Sequence, residues 1–194
     1  MPTYSQHGVD GPHAENWNRW LGKFKGRPCT AIEVGSWEGR SARWFLDNIL
    51  TNEQSRLVCI DTWEGGEEHR ANGIDCSVTW PNFKSNMAEY GGKVLPIKGR
   101  SEDGLRKAFC FRADFIYIDG SHMAADVLSD SVLAWPLLKD SGVLIFDDYR
   151  WEFKGALSEP MIAIDAFLQC YRGRYNLLGI GYQVAIEKIG CTQQ

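Results

Sequence analysis

Two short stretches of the sequence place acids where acids are costly. "FIYIDGSHMAADVLSD", Phe115 to Asp130, runs four apolar residues into Asp119 and then sets Gly120, Ser121 and His122 ahead of a helix-like segment. "GVLIFDDY", Gly142 to Tyr149, repeats the pattern with Asp147 and Asp148. A carboxylate at the end of a buried strand is expensive unless it is paired or holds something. In open α/β sheets, ligands bind outside the carboxyl ends of the strands, so acids from neighbouring strands can converge there. Asp119, Asp147 and Asp148 would offer three hard oxygen ligands with open positions, which suits Mg²⁺ or a similar divalent cation. The plainer alternative makes Asp119 a helix cap and Asp148 a turn residue beside Tyr149. His122, three residues beyond Asp119, is the candidate base, because an imidazole accepts a proton near neutral pH. It could equally open a helix and make only a local hydrogen bond. His7, His13 and His69 have no comparable context and read as surface residues.

A second group sits earlier in the chain. "EVGSWEGRS", Glu33 to Ser41, directly follows an apolar run. Gly35 and Gly39 permit a tight turn and close approach of a ligand to the backbone, and the helix that follows offers free N–H groups at its start. This is a GxxxG turn, not the GxGxxG of dinucleotide enzymes. Glu33 can bind a cationic amino group, and Asp61, at the end of the next apolar run, can take both hydroxyls of a ribose. The alternative makes Glu33 a surface-facing strand residue and Asp61 a helix cap. In "GRSEDG", Gly99 to Gly104, Ser101 is a fair N-cap with Glu102 and Asp103 suited to the first turn. The functional alternative puts Ser101 and its neighbours against an adenine edge.

The elements that position these residues follow from hydrophobic patterning. Trp17, Trp20, Leu21 and Phe24 recur at helical spacing over Glu15 to Phe24, a helix that covers a sheet. "CTAIEVG", "RLVCID", "KVLPIKG", "DFIYID" and "GVLIFDD" are strands one to five, and Pro96 assigns the third to an edge. Helices fit between them, notably Ala124 to Leu138, and "PMIAIDAFLQCY" is another. "YNLLGI" and "YQVAIEK" form a closing hairpin through Gly179 and Gly181. Continuous apolar strands alternating with helices predict a parallel, doubly wound α/β sheet covered on both faces, with an antiparallel element from the hairpin. Residues 62–90 are the least regular stretch, a candidate lid.

Composition excludes several classes. The chain has 194 residues and a net charge of −4, so a single domain is expected. The absence of a basic block argues against nucleic acid as partner. No apolar run reaches membrane length, and the first residues lack the features of a signal peptide. Six scattered cysteines without a CxxC pair predict no disulfide framework and a reducing cytoplasm. Cys59 and Cys110 read as small buried hydrophobes.

Taken together, "EVGSWEGRS", "IDTWEGGEEH", "IDGSHMAADVLSD" and "LLKDSGVLIFDDY" in this order give the chain a family likeness. It resembles the class I S-adenosylmethionine-dependent methyltransferases. Within them it is most similar to the small metal-dependent O-methyltransferases grouped with macrocin O-methyltransferase and the cephalosporin hydroxylase-like proteins, and more distantly to catechol O-methyltransferase. The resemblance covers roughly Trp17 to Glu187. It implies a seven-stranded sheet whose last strand is antiparallel. It also implies S-adenosylmethionine as cofactor, Mg²⁺ or another divalent cation, and a small hydroxylated acceptor such as a sugar or phenol. Glu33, Gly35, Ser36, Gly39, Ser41, Asp61, Thr62, Trp63, Ser101, Glu102 and Asp119 would form the cofactor site. Asp119, Asp147 and Asp148 would hold the metal, with His122 and Asp119 catalytic. Trp63, Tyr149 and Trp151 are candidate walls that exclude water. Ala124 stands where relatives often carry tyrosine, which points to a different acceptor pocket. Three other readings compete: an NAD-dependent oxidoreductase, disfavoured by the missing GxGxxG, a non-catalytic binding module, and a metal-dependent hydrolase short of ligands. The tryptophan-rich first helix could pack internally or against a second subunit, giving a homo-oligomer.

Overall fold

Five strands run parallel: β1 (Thr30–Val34), β2 (Arg56–Asp61), β3 (Val94–Lys98), β4 (Ala113–Ile118) and β5 (Leu138–Phe146). β6 (Tyr175–Ile180) and β7 (Val184–Lys188) form the closing hairpin, with β7 antiparallel to both β5 and β6. The computed structural model describes residues 2–4, 11–151 and 160–190, apart from the side chains of Glu67 and Glu68. His7 and Cys191 lie outside the described residues. The sheet order is β3-β2-β1-β4-β5-β7-β6. The chain builds outward from β1 to β3, then returns to the other side of β1 with β4. That reversal opens a crevice between β1 and β4, the place where ligands bind in such sheets.

Period-two alternation sorts the strands onto two cores. Ala31, Cys59, Phe115, Tyr117 and Ile145 face a layer formed by α1 (Gly11–Leu21), α2 (Arg40–Asn48) and α4 (Thr79–Met87). Ile32, Val34, Ile60, Ile118 and Phe146 face a layer that includes α5 (Ser101–Lys107), α6 (Ala124–Ala134) and α7 (Pro160–Cys170). Because both faces of β1, β2, β4 and the second half of β5 are covered, these strands read as mostly apolar runs, while the edge strand β3 is half exposed. Phe45 lies at the centre of the first layer, fully buried and within 4.7 to 5.8 Å of the rings of Trp17, Phe115, Tyr117 and Trp44. Phe45→Ala is expected to cost about 3–5 kcal/mol. Urea unfolding should show this as a lower midpoint at unchanged slope.

Trp17, Trp20, Leu21 and Phe24 are all buried, as their spacing predicts. The helix boundaries differ from expectation. α1 begins at Gly11 and ends at Leu21, with Gly22–Phe24 in a 3₁₀ turn. α6 stops at Ala134, and Pro136 sits in the 3₁₀ turn Trp135–Leu137, where its missing N–H leaves no α-helical bond unmade. β5 begins at Leu138 rather than at Gly142. Pro96 lies on β3, an edge strand, as expected. The stretch expected to be irregular is largely helical. It holds α3 (Glu67–Ala71), α4 and two 3₁₀ turns, with Trp63, Phe83 and Met87 in the core. Cys59 is buried, but Cys110 is exposed, in a 3₁₀ turn whose Phe109 also points outward at 74% exposure. No helix among the described residues is long and apolar enough to cross a membrane.

Candidate functional site

Alternation along β1 turns Glu33 onto the same face as Ala31, in register with Cys59 on β2 and Tyr117 on β4. Glu33 is therefore not surface-facing; it is fully buried. Ser41 donates its hydroxyl to Glu33 Oε1 at 2.6 Å, while Oε2 has no hydrogen-bond partner among the described residues. Burial pushes the Glu33 carboxyl up to about 7, with the nearby Ser36 and Ser41 hydroxyls opposing. A buried oxygen without a donor is a place where a cationic amino group gains most.

The turn after β1 is shaped by its glycines. Gly35 has φ +86°, and a Cβ there would lie 1.8 Å from the Asp119 carbonyl oxygen. Gly39, at φ +82°, caps α2. Asp61 stitches this turn to the one after β2. Its Oδ2 accepts the Trp37 N–H at 2.7 Å and its Oδ1 accepts the Trp63 N–H at 2.6 Å. Both tryptophans have positive φ, 45° and 55°, a strain of about 1–3 kcal/mol each that the Asp61 bonds help to hold. The Trp63 indole donates to the Trp37 carbonyl at 2.7 Å. Trp63 is thus a core residue packed on Trp80 and Phe83 rather than an open wall. Thr62 Oγ accepts from the Glu64 N–H at 3.2 Å. His69, expected on the surface, stacks on Trp37 at 4.1 Å and accepts the Gly66 N–H on Nδ1 at 3.0 Å.

Ser101 is the first residue of α5, not its N-cap; Arg100 takes that position. Its hydroxyl lies beside Asp130 of α6, a buried acid whose carboxyl is pushed up to about 7 by burial, Ser101 opposing. Glu102 accepts from Ser129 Oγ at 3.1 Å. Both residues tie α5 to α6 beyond the end of β3.

The acids of β4 and β5 converge across the crevice. Tyr117, on the same strand face as Asp119, places its hydroxyl 3.1 Å from Asp119 Oδ2 and also in contact with Asp147 Oδ2. One hydroxyl proton cannot serve two carboxylates. A proton on Asp119 resolves the conflict. Burial, then the charges of Asp147 and Asp148, push the Asp119 carboxyl well above its usual range. Asp147 Oδ2 also accepts Gln183 Nε2 at 2.9 Å, and its Oδ1 accepts the Asp148 N–H at 2.8 Å. Asp148 sits at φ +56°. Its Oδ2 lies 2.8 Å from His122 Nε2, and its Oδ1 accepts the Tyr182 hydroxyl at 2.6 Å. Burial alone would raise its carboxyl, but the bonds from His122 and Tyr182 outweigh it and hold it below the usual range. The Trp151 ring lies over His122 at 4.0 Å. Tyr149 turns away, its hydroxyl on Asp165 of α7 at 2.9 Å.

Asp119, His122 and Asp148 can each offer one ligand atom such that all lie within 4.8 Å of one another. Adjacent ligands around a small divalent cation are about 3 Å apart and opposite ones about 4 Å, from metal–ligand distances of about 2.1 Å. The Asp119 and Asp148 carboxylates therefore fit such an ion, with the His122 imidazole beside it. Asp147, expected as a third ligand, is not one of these three; its Oδ2 accepts from Tyr117 and Gln183 and its Oδ1 from the Asp148 N–H. Four contributors were not foreseen: Tyr117, Tyr182, Gln183 and His13. The first was legible, because it precedes Asp119 by two residues on one strand face. His13, expected on the surface, is brought by α1 to 3.5 Å from Asp147 Oδ1.

A family model described as "Methyltransferase domain" matches residues 32–149, which contain both halves of this site. An uncharacterized protein of Acanthamoeba polyphaga mimivirus is 26% identical over 135 residues, covering 66% of this chain and 56% of that protein, so the chain matches little more than half of that relative's length. Among solved structures, the O-methyltransferase of Bacillus cereus, in complex with SAH, superimposes with a TM-score of 0.66 at 19% identity over 94% of this chain and 83% of that one. The O-methyltransferase NovP gives 0.67 at 18%, covering 91% and 78%. MycE, a methyltransferase of the mycinamycin biosynthetic pathway in complex with Mg and SAH, gives 0.64 at 13%, covering 95% of this chain and 51% of that one. These likenesses establish a common seven-stranded fold, and the match over residues 32–149 establishes that the chain belongs to the methyltransferase domain family.

Proposed function

We propose that this chain transfers a methyl group from S-adenosylmethionine to a hydroxyl of a small acceptor, assisted by a divalent cation. The observation that carries the reading is the contact between Gly35 and Asp119. It brings the turn after β1, which we assign to the cofactor, against the acid–histidine cluster that we assign to the acceptor hydroxyl. S-Adenosylmethionine, when bound, supplies a methyl carbon on a cationic sulfur. Glu33 Oε2 would receive its amino group, Asp61 its ribose hydroxyls, and Ser101 and Glu102 would lie by its adenine. Asp119 and Asp148 would hold the cation, which lowers the pKa of a hydroxyl bound to it. His122, oriented by Asp148 on one side and by the Trp151 ring over its face, takes the hydroxyl proton. The C–O bond forms as the C–S bond breaks, and the electron pair leaves on sulfur. Since donor and acceptor must meet in line at about 3 Å, most of the protein's contribution is positioning. The net charge of −4 supports a small acceptor over nucleic acid.

The test is calorimetry on the full chain with S-adenosylhomocysteine, with NAD⁺ as control, followed by Mg²⁺. Binding of the first ligand and not the second, then a metal signal lost in the Asp147→Ala/Asp148→Ala double variant, is the expected result. Binding of NAD⁺ alone would replace this reading with an oxidoreductase. Once an acceptor is found, His122→Ala should lower kcat by about 10²–10⁴-fold. Undiminished turnover would remove His122 as the base.

A further inference from the structure

His13 and Trp17 lie four residues apart and so share one face of α1. Their rings are 6.1 Å apart. Trp17, only 1% exposed, packs 5.3 Å from Tyr117, the residue whose hydroxyl touches both Asp119 and Asp147. The burial that fixes α1 therefore also fixes where His13 points. Its Nε2 lies 3.5 Å from Asp147 Oδ1, and its ring meets Tyr182 edge-on at 6.0 Å. Tyr182 in turn donates to Asp148. The side chain of His13 is 24% exposed, so it stands at the mouth of the cluster and not deep in the core.

We propose that His13 is a positioning residue of the cation centre, holding Asp147 in place, so that α1 is a wall of the site and not only a cover for the sheet. This rests on the reading of a divalent cation at Asp119 and Asp148. Asp147 Oδ2 is held by Tyr117 and Gln183, and Oδ1 takes the N–H of Asp148. His13 approaches that same Oδ1. At 3.5 Å the pair is too long for a strong direct bond. A sub-ångström closure makes one, and a bridging water serves as well. Asp147 and Asp148 are consecutive, and a backbone bond links them. Fixing the first carboxylate therefore fixes the left-handed turn that aims the second. Groups bonded directly to metal ligands are worth about 10–100-fold in metal affinity, and His13, acting through Asp147, belongs at or below the low end of that range.

The experiment titrates Mn²⁺ into the full chain in the presence of S-adenosylhomocysteine, read by calorimetry and by the loss of the free-ion electron paramagnetic resonance signal. His13→Ala should weaken Mn²⁺ binding by up to about 10-fold, and His13→Gln, which keeps a donor N–H, should recover most of it. Affinity for S-adenosylhomocysteine and the Tm should stay near wild type, since Trp17, Trp20 and Leu21 anchor α1 independently. Equal Mn²⁺ affinity in wild type and His13→Ala overturns the proposal and leaves the cation reading standing. A parallel fall in Tm and cofactor affinity that His13→Gln does not rescue also overturns it, by showing a general packing role. If wild type binds no Mn²⁺, the cation reading fails and the proposal fails with it.

Discussion

Asparagine in place of Asp119 is expected to stabilise the fold at pH 8 while abolishing cation binding. Asp119 is surrounded by two further carboxylates and shares the single proton of Tyr117 with one of them. Burial, then Asp147 and Asp148, push its carboxyl well above the usual range. The sign follows from linkage. In the unfolded chain the group ionises near pH 4, whereas in the folded chain it keeps its proton to higher pH. Its stabilising contribution is full below the unfolded value and is lost as pH rises through the folded one. The carboxamide of the variant has no such proton to lose. Relieving a buried, crowded charge of this kind is worth on the order of 1 kcal/mol or more, and each kcal/mol moves the Tm of a chain this size by roughly 2–4 °C. Scanning calorimetry without metal should show Asp119→Asn and wild type alike near pH 4 and the variant higher at pH 8. The same variant should lose Mn²⁺ affinity by more than about 100-fold, beyond what loss of an orienting group costs. A variant less stable than wild type at pH 8 would mean that Asp119 is ionised and well paired in the fold, and the account of the shared proton would be wrong.

The sequence shows the features of this cluster only in part. Asp119, Asp147 and Asp148 were legible because each acid follows a run of apolar residues, and an acid there has few explanations. How they divide the work was not legible. Tyr117 and Gln183 tie up Asp147 through the pairing of β4 with β5 and of β5 with β7, and β7 reaches that position only by inserting between β5 and β6. Tyr182 arrives by the same route. No local pattern announces a contact made across three strands. β1, β2, β4 and the end of β5 were legible because burial on both faces leaves their apolar runs nearly unbroken, while β3, half exposed at the edge, was legible from Val94, Leu95 and Ile97. The start of α1 was not, since its apolar stripe begins only at Trp17, and the polar first turn, which holds His13, carries no periodic signal. Cys110 departs from its expected burial for the opposite reason. Apolar neighbours, Phe109 and Phe111, suggested a core that one of them does not enter. The tryptophan rings at positions 37 and 63 likewise owe their places to strained backbone held by Asp61, a bond that joins two loops and leaves no mark on either.

Gly35→Ala is expected to lower turnover by more than about 100-fold and to weaken cofactor binding with it. The residue sits at φ +86°, where an L side chain costs about 1–2 kcal/mol on backbone grounds alone. Its added Cβ would lie 1.8 Å from the Asp119 carbonyl oxygen and 2.7 Å from the Gly120 Cα, both backbone atoms that cannot swing aside. The β1 turn and the β4 turn must therefore separate by about 1 Å or more to restore ordinary contact. They are joined at that point by the Asp119 N–H on the Val34 carbonyl at 2.8 Å, and the Gly35 N–H reaches Ile60 at 2.9 Å. Displacement at this joint moves Glu33 and the cofactor half away from Asp119 and the acceptor half. A shift of about 1 Å between reacting groups is enough for a 10²-fold loss. Gly26→Ala is the control: its φ of +76° carries the same backbone strain, but an added Cβ there meets nothing within 4 Å. It should lose stability and keep far more of its turnover. If the two variants were equally impaired in turnover and S-adenosylhomocysteine affinity, strain alone would account for both, and the Gly35–Asp119 contact would not be what holds the two half-sites in line.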